Sequence, residues 1–125
     1  MKTKGQLEAE ISEAIIKFEK EYMGRGPEET KTYIIDDMVL VRLRGVLTLA
    51  EKNLAKIQRD RHNRTLIKQV RIELLESARD ILDLLIQDIT GCKLISLHTD
   101  ISTSTGERVI IFTLGGRVEF EESEP

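Results

Sequence analysis

The stretch TYIIDDMVLVRLR, residues 32–44, decides how the chain is read. β-Branched, aromatic and aliphatic residues run to Ile35, Asp36-Asp37 supplies a turn, and residues 38–43 return, which is the pattern of a β-hairpin. Its second strand alternates, placing Val41 and Leu43 on one face and Arg42 and Arg44 on the other. A second such pattern fills residues 93–114: strands over 94–101 and 108–114 flank Ser102-Thr103-Ser104-Thr105-Gly106, a loop rich in turn residues.

Helical periodicity occupies the rest. Leu7, Ile11, Ile15, Phe18 and Tyr22 recur at spacings of three and four, with Thr3 and Gln6 placed for a capping box at the start. Gly24-Arg25-Gly26-Pro27 ends that helix, because Gly24 can adopt a left-handed cap and Pro27 cannot extend the ladder. After Gly45 breaks the second strand, Thr48 and Glu51 repeat the capping spacing, opening a helix with Leu47, Ala50, Leu54 and Ile57 on one face. Residues 59–64 read as a polar connection, and residues 66–89 as one strong helix closing at Thr90-Gly91. Roughly 26 residues at about 1.5 Å each reach about 39 Å, against about 35 Å across a compact chain of this length. Part of that helix is therefore expected to project and to need a partner. The order helix, hairpin, two helices, hairpin implies an α+β domain of two layers, with a four-stranded, largely antiparallel sheet covered by helices. No repeat or linker divides residues 1–125, so a single domain is expected, with the glutamate-rich residues 119–125 as a mobile tail.

With 125 residues, 40% of them hydrophobic, the chain can build a core without staples, and its lone Cys92 rules out an internal disulfide. The apolar runs at 38–41 and 109–112 fall far short of the roughly 18 residues a membrane-spanning helix needs, and the N-terminus lacks the apolar core of a signal peptide. The chain is accordingly expected not to span a membrane and to be cytoplasmic.

Charge is unevenly placed. Residues 46–72 carry Lys52, Lys56, Arg59, Arg61, Arg64, Lys68 and Arg71 against Glu51 and Asp60, whereas residues 73–92 carry Arg79 against five acids. The basic stretch reads either as a solvated helix connection whose charges pair with neighbouring acids or as an anion platform for RNA, lipid headgroups or an acidic protein partner. RNA or DNA binding through residues 56–71, with Arg61 and Arg64 as contacts, is the alternative; the net charge of −3 and the absence of interleaved aromatics disfavour it. His98 and Asp100, two apart on a strand, share a face and suit a base with its orienter or a pair of metal ligands. No spacing indicates a third ligand, so neither catalytic residues, a metal nor a cofactor are expected.

Taken together, Gly24-Arg25-Gly26-Pro27, the run from Val39 through Arg42, Arg44 and Gly45 to Thr48, then Ala50-Glu51, Leu54-Ala55, Asp100 and the Phe112 segment resemble the MpsC-like family. That family was first defined as a domain of unknown function and is named for a sodium-translocating, membrane-potential-generating system. The resemblance spans the first helix to about Leu114. It implies a small bacterial cytosolic protein associated with a membrane cation or inorganic-carbon uptake system. Gly24, Arg25, Gly26, Arg42, Arg44, Gly45, Thr48 and Glu51 become candidates for shape or contact. The expectation is a non-enzymatic accessory protein that docks a membrane transporter component through the long helix or the edge bearing Arg25, Arg42 and Arg44. The apolar residues around the long helix add the expectation of a homodimer.

Overall fold

The computed structural model describes the backbone of residues 1–57 and 61–122, and the side chains of all of these except 55, 57 and 61–63. Helix α1 (Lys4–Tyr22) starts at the expected capping box, where the Thr3 side chain accepts from the Gln6 N–H and the Gln6 side chain accepts from the Thr3 N–H. It buries Leu7, Ile11, Ile15 and Phe18 and ends before Gly24, whose φ of +79° the absence of a Cβ permits. The first hairpin pairs β1 (Glu29–Ile35) with β2 (Met38–Arg44) through Asp36, which takes φ +54°. Its ladder begins three residues before the β-branched run, at Glu29↔Arg44. Helix α2 (Leu49–Ile57) follows the second capping box: Glu51 accepts from the Thr48 N–H at 2.9 Å and Thr48 Oγ1 from the Glu51 N–H at 3.2 Å.

The expected single helix over 66–89 is two helices, α3 (Arg61–Ser77) and α4 (Arg79–Thr90), interrupted at Ala78. Neither proline nor glycine marks the break. The Ser77 hydroxyl donates to the Leu74 carbonyl at 2.8 Å, a bond that bends helices, and Arg79 donates to the Ile95 carbonyl at 2.9 Å, drawing the start of α4 onto the sheet. The helix also begins five residues earlier than its apolar period, taking up Arg61 to Arg64, which composition assigned to a connection. Ile67, Leu75, Ala78, Leu82 and Ile86 are buried along both segments, so the helix lies along the body rather than projecting from it.

The sheet is completed by β3 (Leu94–Ile101) and β4 (Arg108–Leu114), in the order β1-β2-β4-β3 with every neighbouring pair antiparallel. This is the α+β fold expected. Ile34, Val39, Val41, Leu43, Ile110, Phe112, Leu114, Leu94 and Ile101 face the helices. Each fully buried aliphatic side chain contributes about 1.5–3 kcal/mol of transfer free energy. A register shift between Leu94 and Ser96 leaves Ile95 exposed. Tyr33, Leu40, Ile111 and His98 lie in one row across the other face, which no described element covers. The acidic tail is held at its start: Val118 is buried, Phe120 packs on the core, and the Glu121 N–H bonds the Lys2 carbonyl at 2.8 Å. Residues 123–125 lie outside the described residues.

Candidate functional site

The β3–β4 loop is fixed by its own hydroxyls. Ser102 Oγ accepts from the Thr105 N–H at 3.3 Å, Thr105 Oγ1 accepts from the Glu107 N–H at 3.2 Å, and Gly106 closes the turn with φ +74°. Its Gly106 carbonyl accepts from the Val46 N–H at 3.3 Å, which seats the loop against the segment leading into α2. Between them lies a groove of about 770 Å³, floored by Gly45, Leu47 and Gly106 and walled by Thr103 to Thr105, Arg44, and Lys52 and Lys56 of α2. Lys52 and Lys56 are one helical turn apart and so share a face. Among the described residues neither has an ion-pair partner. On the loop's other flank a groove of about 420 Å³ runs between Ser102 to Ser104 and Arg64 and Lys68 of α3. Lys68 is paired with Asp100 at 3.3 Å; Arg64 is exposed and, among the described residues, unpaired.

The arginines singled out by sequence are placed differently. Arg42 and Arg44 converge on Glu107, at 2.8 and 3.4 Å, and Arg44 also reaches Glu29 at 3.5 Å. The hydrogen bond from Arg42 holds the Glu107 carboxyl below the usual carboxylate range, and the same bond raises the Arg42 guanidinium above its ordinary value. Arg25 stands apart on Glu28, at 3.2 Å, although Glu28 itself lines the larger groove. Arg61 opens α3, and its side chain lies outside the described residues, as does Arg59.

Arg71 belongs to a different environment from the rest of the basic stretch. It is 3% exposed and donates to both Glu51 oxygens, at 2.9 and 2.6 Å, and to the Val46 carbonyl at 2.7 Å. Behind it Glu19 of α1 and Arg108 of β4 are each 1% exposed and pair at 3.3 Å. Arg108 also donates to Thr99 Oγ1 at 3.2 Å and to the Arg71 carbonyl at 3.3 Å. Glu19 Oε2 and Arg71 Nη1 lie 3.7 Å apart, within ion-pair distance but beyond hydrogen-bond reach. Burial raises the Glu19 carboxyl despite both arginines and lowers the Arg108 guanidinium. At Glu51 burial pushes upward too, but the bonds from Arg71 and Thr48 outweigh it and hold the carboxyl low. This two-by-two cluster ties α1, α2, α3 and β4 together and so fixes the groove's walls. Sequence reading assigned Arg71 to the platform and passed over Glu19 and Arg108.

His98 and Asp100 share the uncovered face of the sheet, as their spacing requires. Their partners differ: His98 Nε2 lies 3.4 Å from Ser96 Oγ, and Asp100 is taken by Lys68. Among the described residues no group of three or more His, Cys, Asp or Glu side chains is placed to hold a metal ion. Nor is any described helix long and apolar enough to cross a membrane.

Residues 3–116 match the family model described as a Na+-translocating membrane potential-generating system (MpsC). Two relatives from Bacillus subtilis (strain 168) align over most of their length. The uncharacterized protein YbcI is 45% identical over 118 residues, 94% of this chain and 93% of its own. The uncharacterized protein YrhF is 26% identical over 110 residues, 88% of each chain. No solved structure matches the chain.

Proposed function

The chain belongs to the MpsC family, and on that premise we propose that it is a non-enzymatic accessory protein that docks an acidic segment of a membrane cation-transport component from the cytoplasmic side. One observation carries the reading: Lys52, Lys56 and Arg64, on both flanks of a hydroxyl-bearing loop, are exposed or half-buried and, among the described residues, without an acidic partner, while the arginines nearby are neutralised by Glu28, Glu29 and Glu107. Uncompensated cations around a concave surface attract carboxylates and speed encounter. The test is retention of the purified chain, at low salt, on membranes containing the transport components and on membranes lacking them. Selective retention that disappears in a Lys52→Glu/Lys56→Glu/Arg64→Glu variant with an unchanged urea midpoint is the expected result. No retention, or equal retention of the variant, overturns it.

Nucleic acid is the weaker occupant, since the buried Arg71 subtracts from residues 56–71 the one basic side chain that the cluster consumes. A mobility shift of a labelled oligonucleotide that weakens steeply with salt would replace the protein partner with RNA or DNA. The homodimer is a further proposal, and what supports it is the uncovered face of the sheet, where Tyr33 and Ile35 are exposed. A strict monomer at high micromolar concentration removes it.

A further inference from the structure

The exposed side of α3 and α4 carries a row of large aliphatic residues that no described element covers. Leu66, Val70, Leu74, Ile81 and Leu84 are between 39% and 70% exposed. They follow one another at helical spacings of four, four, seven and three, with exposed Ser77 in the longer gap. The buried row Ile67, Arg71, Leu75, Ala78, Leu82 and Ile86 runs beside them, and both rows keep their phase across the interruption at Ala78. The outer row is therefore one continuous seam, about 27 Å long at 1.5 Å per residue. Isolated exposed leucines need no explanation, but five in a line, at the spacing by which helices pack, do.

The border of the seam identifies what fits it. On the side away from the protein body stand Glu73, Glu76 and Asp80, all exposed; among the described residues no cation pairs with any of them, and Glu73 accepts only the Gln69 amide at 3.0 Å. An antiparallel pairing of two copies along this seam lays the two acidic borders side by side, with Glu73 of one near Asp80 of the other; a parallel pairing sets each acidic border against the partner's opposite flank, where Ile67, Ala78 and Leu85 offer no cation. Repulsion in the first case and uncompensated acids in the second both oppose self-association. The same acids repel an anionic lipid surface. We propose that this face binds an amphipathic helix of another protein, one whose aliphatic seam is flanked by lysine or arginine. This face and the groove at Lys52, Lys56 and Arg64 differ in sign, so they take partners of opposite charge.

The probe is a synthetic amphipathic helix of about 18 residues built of leucine and lysine, with a leucine and glutamate counterpart, titrated into the full-length chain by fluorescence anisotropy. The lysine helix is expected to bind, with affinity falling as salt rises, and the glutamate helix to fail. Leu74→Asp, and separately Glu73→Lys/Glu76→Lys/Asp80→Lys, should each weaken binding at least about tenfold, with thermal midpoints unchanged because the residues are exposed. The Lys52→Glu/Lys56→Glu/Arg64→Glu variant should bind the lysine helix at least as well as the parent does. Absence of binding, equal binding of the two helices, or indifference to both variants overturns the assignment. So does a dimer dissociated by Leu74→Asp, which would make the occupant a second copy.

Discussion

Among the described residues arginines and glutamates form two clusters, one buried and one exposed, and the two have opposite physics. At Glu19, Arg71, Arg108 and Glu51 the groups are inside, and their mutual bonds must offset the loss of water. At Arg42, Arg44 and Glu107, on the rim of the groove, each side chain keeps solvent, and the pairs orient groups more than they stabilise the fold. The composition is the same in both places; depth decides whether a charge is a structural member or a surface available for contact.

The largest test of that contrast lies in the core. Removing one partner, as in Glu19→Leu or Arg108→Met, leaves an opposite charge buried and unpaired, and should lower unfolding stability by about 3–5 kcal/mol in urea denaturation. The double variant Glu19→Leu/Arg108→Met removes one charge of each sign, leaves the Arg71–Glu51 pair in place, and should recover most of that loss, because an apolar replacement has no desolvation cost to offset. If the single variants lose less than about 1 kcal/mol, the buried cluster behaves like the surface one and the distinction fails.

A smaller effect separates two acids within the cluster. The Glu51 carboxyl is held below its ordinary value of 4.5, so its contribution is present above that pH and is lost as pH falls through the lowered folded value. Glu19 is raised, so its contribution has the reverse sign: fully present below 4.5 and lost as pH rises through the raised folded value. Urea midpoints measured across pH should therefore show a shallower acid decline in Glu51→Gln than in the parent. In Glu19→Gln the decline as pH rises above 4.5 should be the part that flattens. An acid limb in Glu51→Gln as steep as the parent's would mean that the bonds from Arg71 do not outweigh burial there.

Much of the frame was legible because local chemistry sets it. Thr3 with Gln6 and Thr48 with Glu51 cap helices in any context, and the alternation of Val41, Arg42, Leu43 and Arg44 has one buried face whichever sheet receives it. The break at Ala78 was not legible, since Ser77 and Arg79 act through a carbonyl one turn back and one on β3. The buried cluster left a signal that residue counting missed. Glu19 lies four residues beyond Ile15, Arg71 sits midway between Ile67 and Leu75, and Arg108 precedes Ile110, Phe112 and Leu114 at strand period. Three charged residues on three apolar stripes, two positive and one negative, are expected to meet. The platform at Lys52, Lys56 and Arg64 was half visible: the excess of positive charge could be counted, but only the fold tells which members are left without acids.

The smallest expected effect sharpens the contrast at the rim. Glu107→Gln releases Arg42 and Arg44 from their shared carboxylate, and both guanidinium groups then return to water rather than to an empty cavity. The pull of Arg42 on Glu107 is strong enough to lower its titration, yet the pair is solvated, so most of that attraction is replaced by hydration when it is broken. The urea midpoint should therefore be indistinguishable from the parent's, while retention of acidic partners at low salt should rise, because Arg42 becomes uncommitted and Arg44, which lines the groove with Lys52 and Lys56, keeps only Glu29. A midpoint lowered as far as that of Glu19→Leu would show that the rim pairs hold the fold together, and that Arg42 and Arg44 are structural rather than held in reserve for a partner.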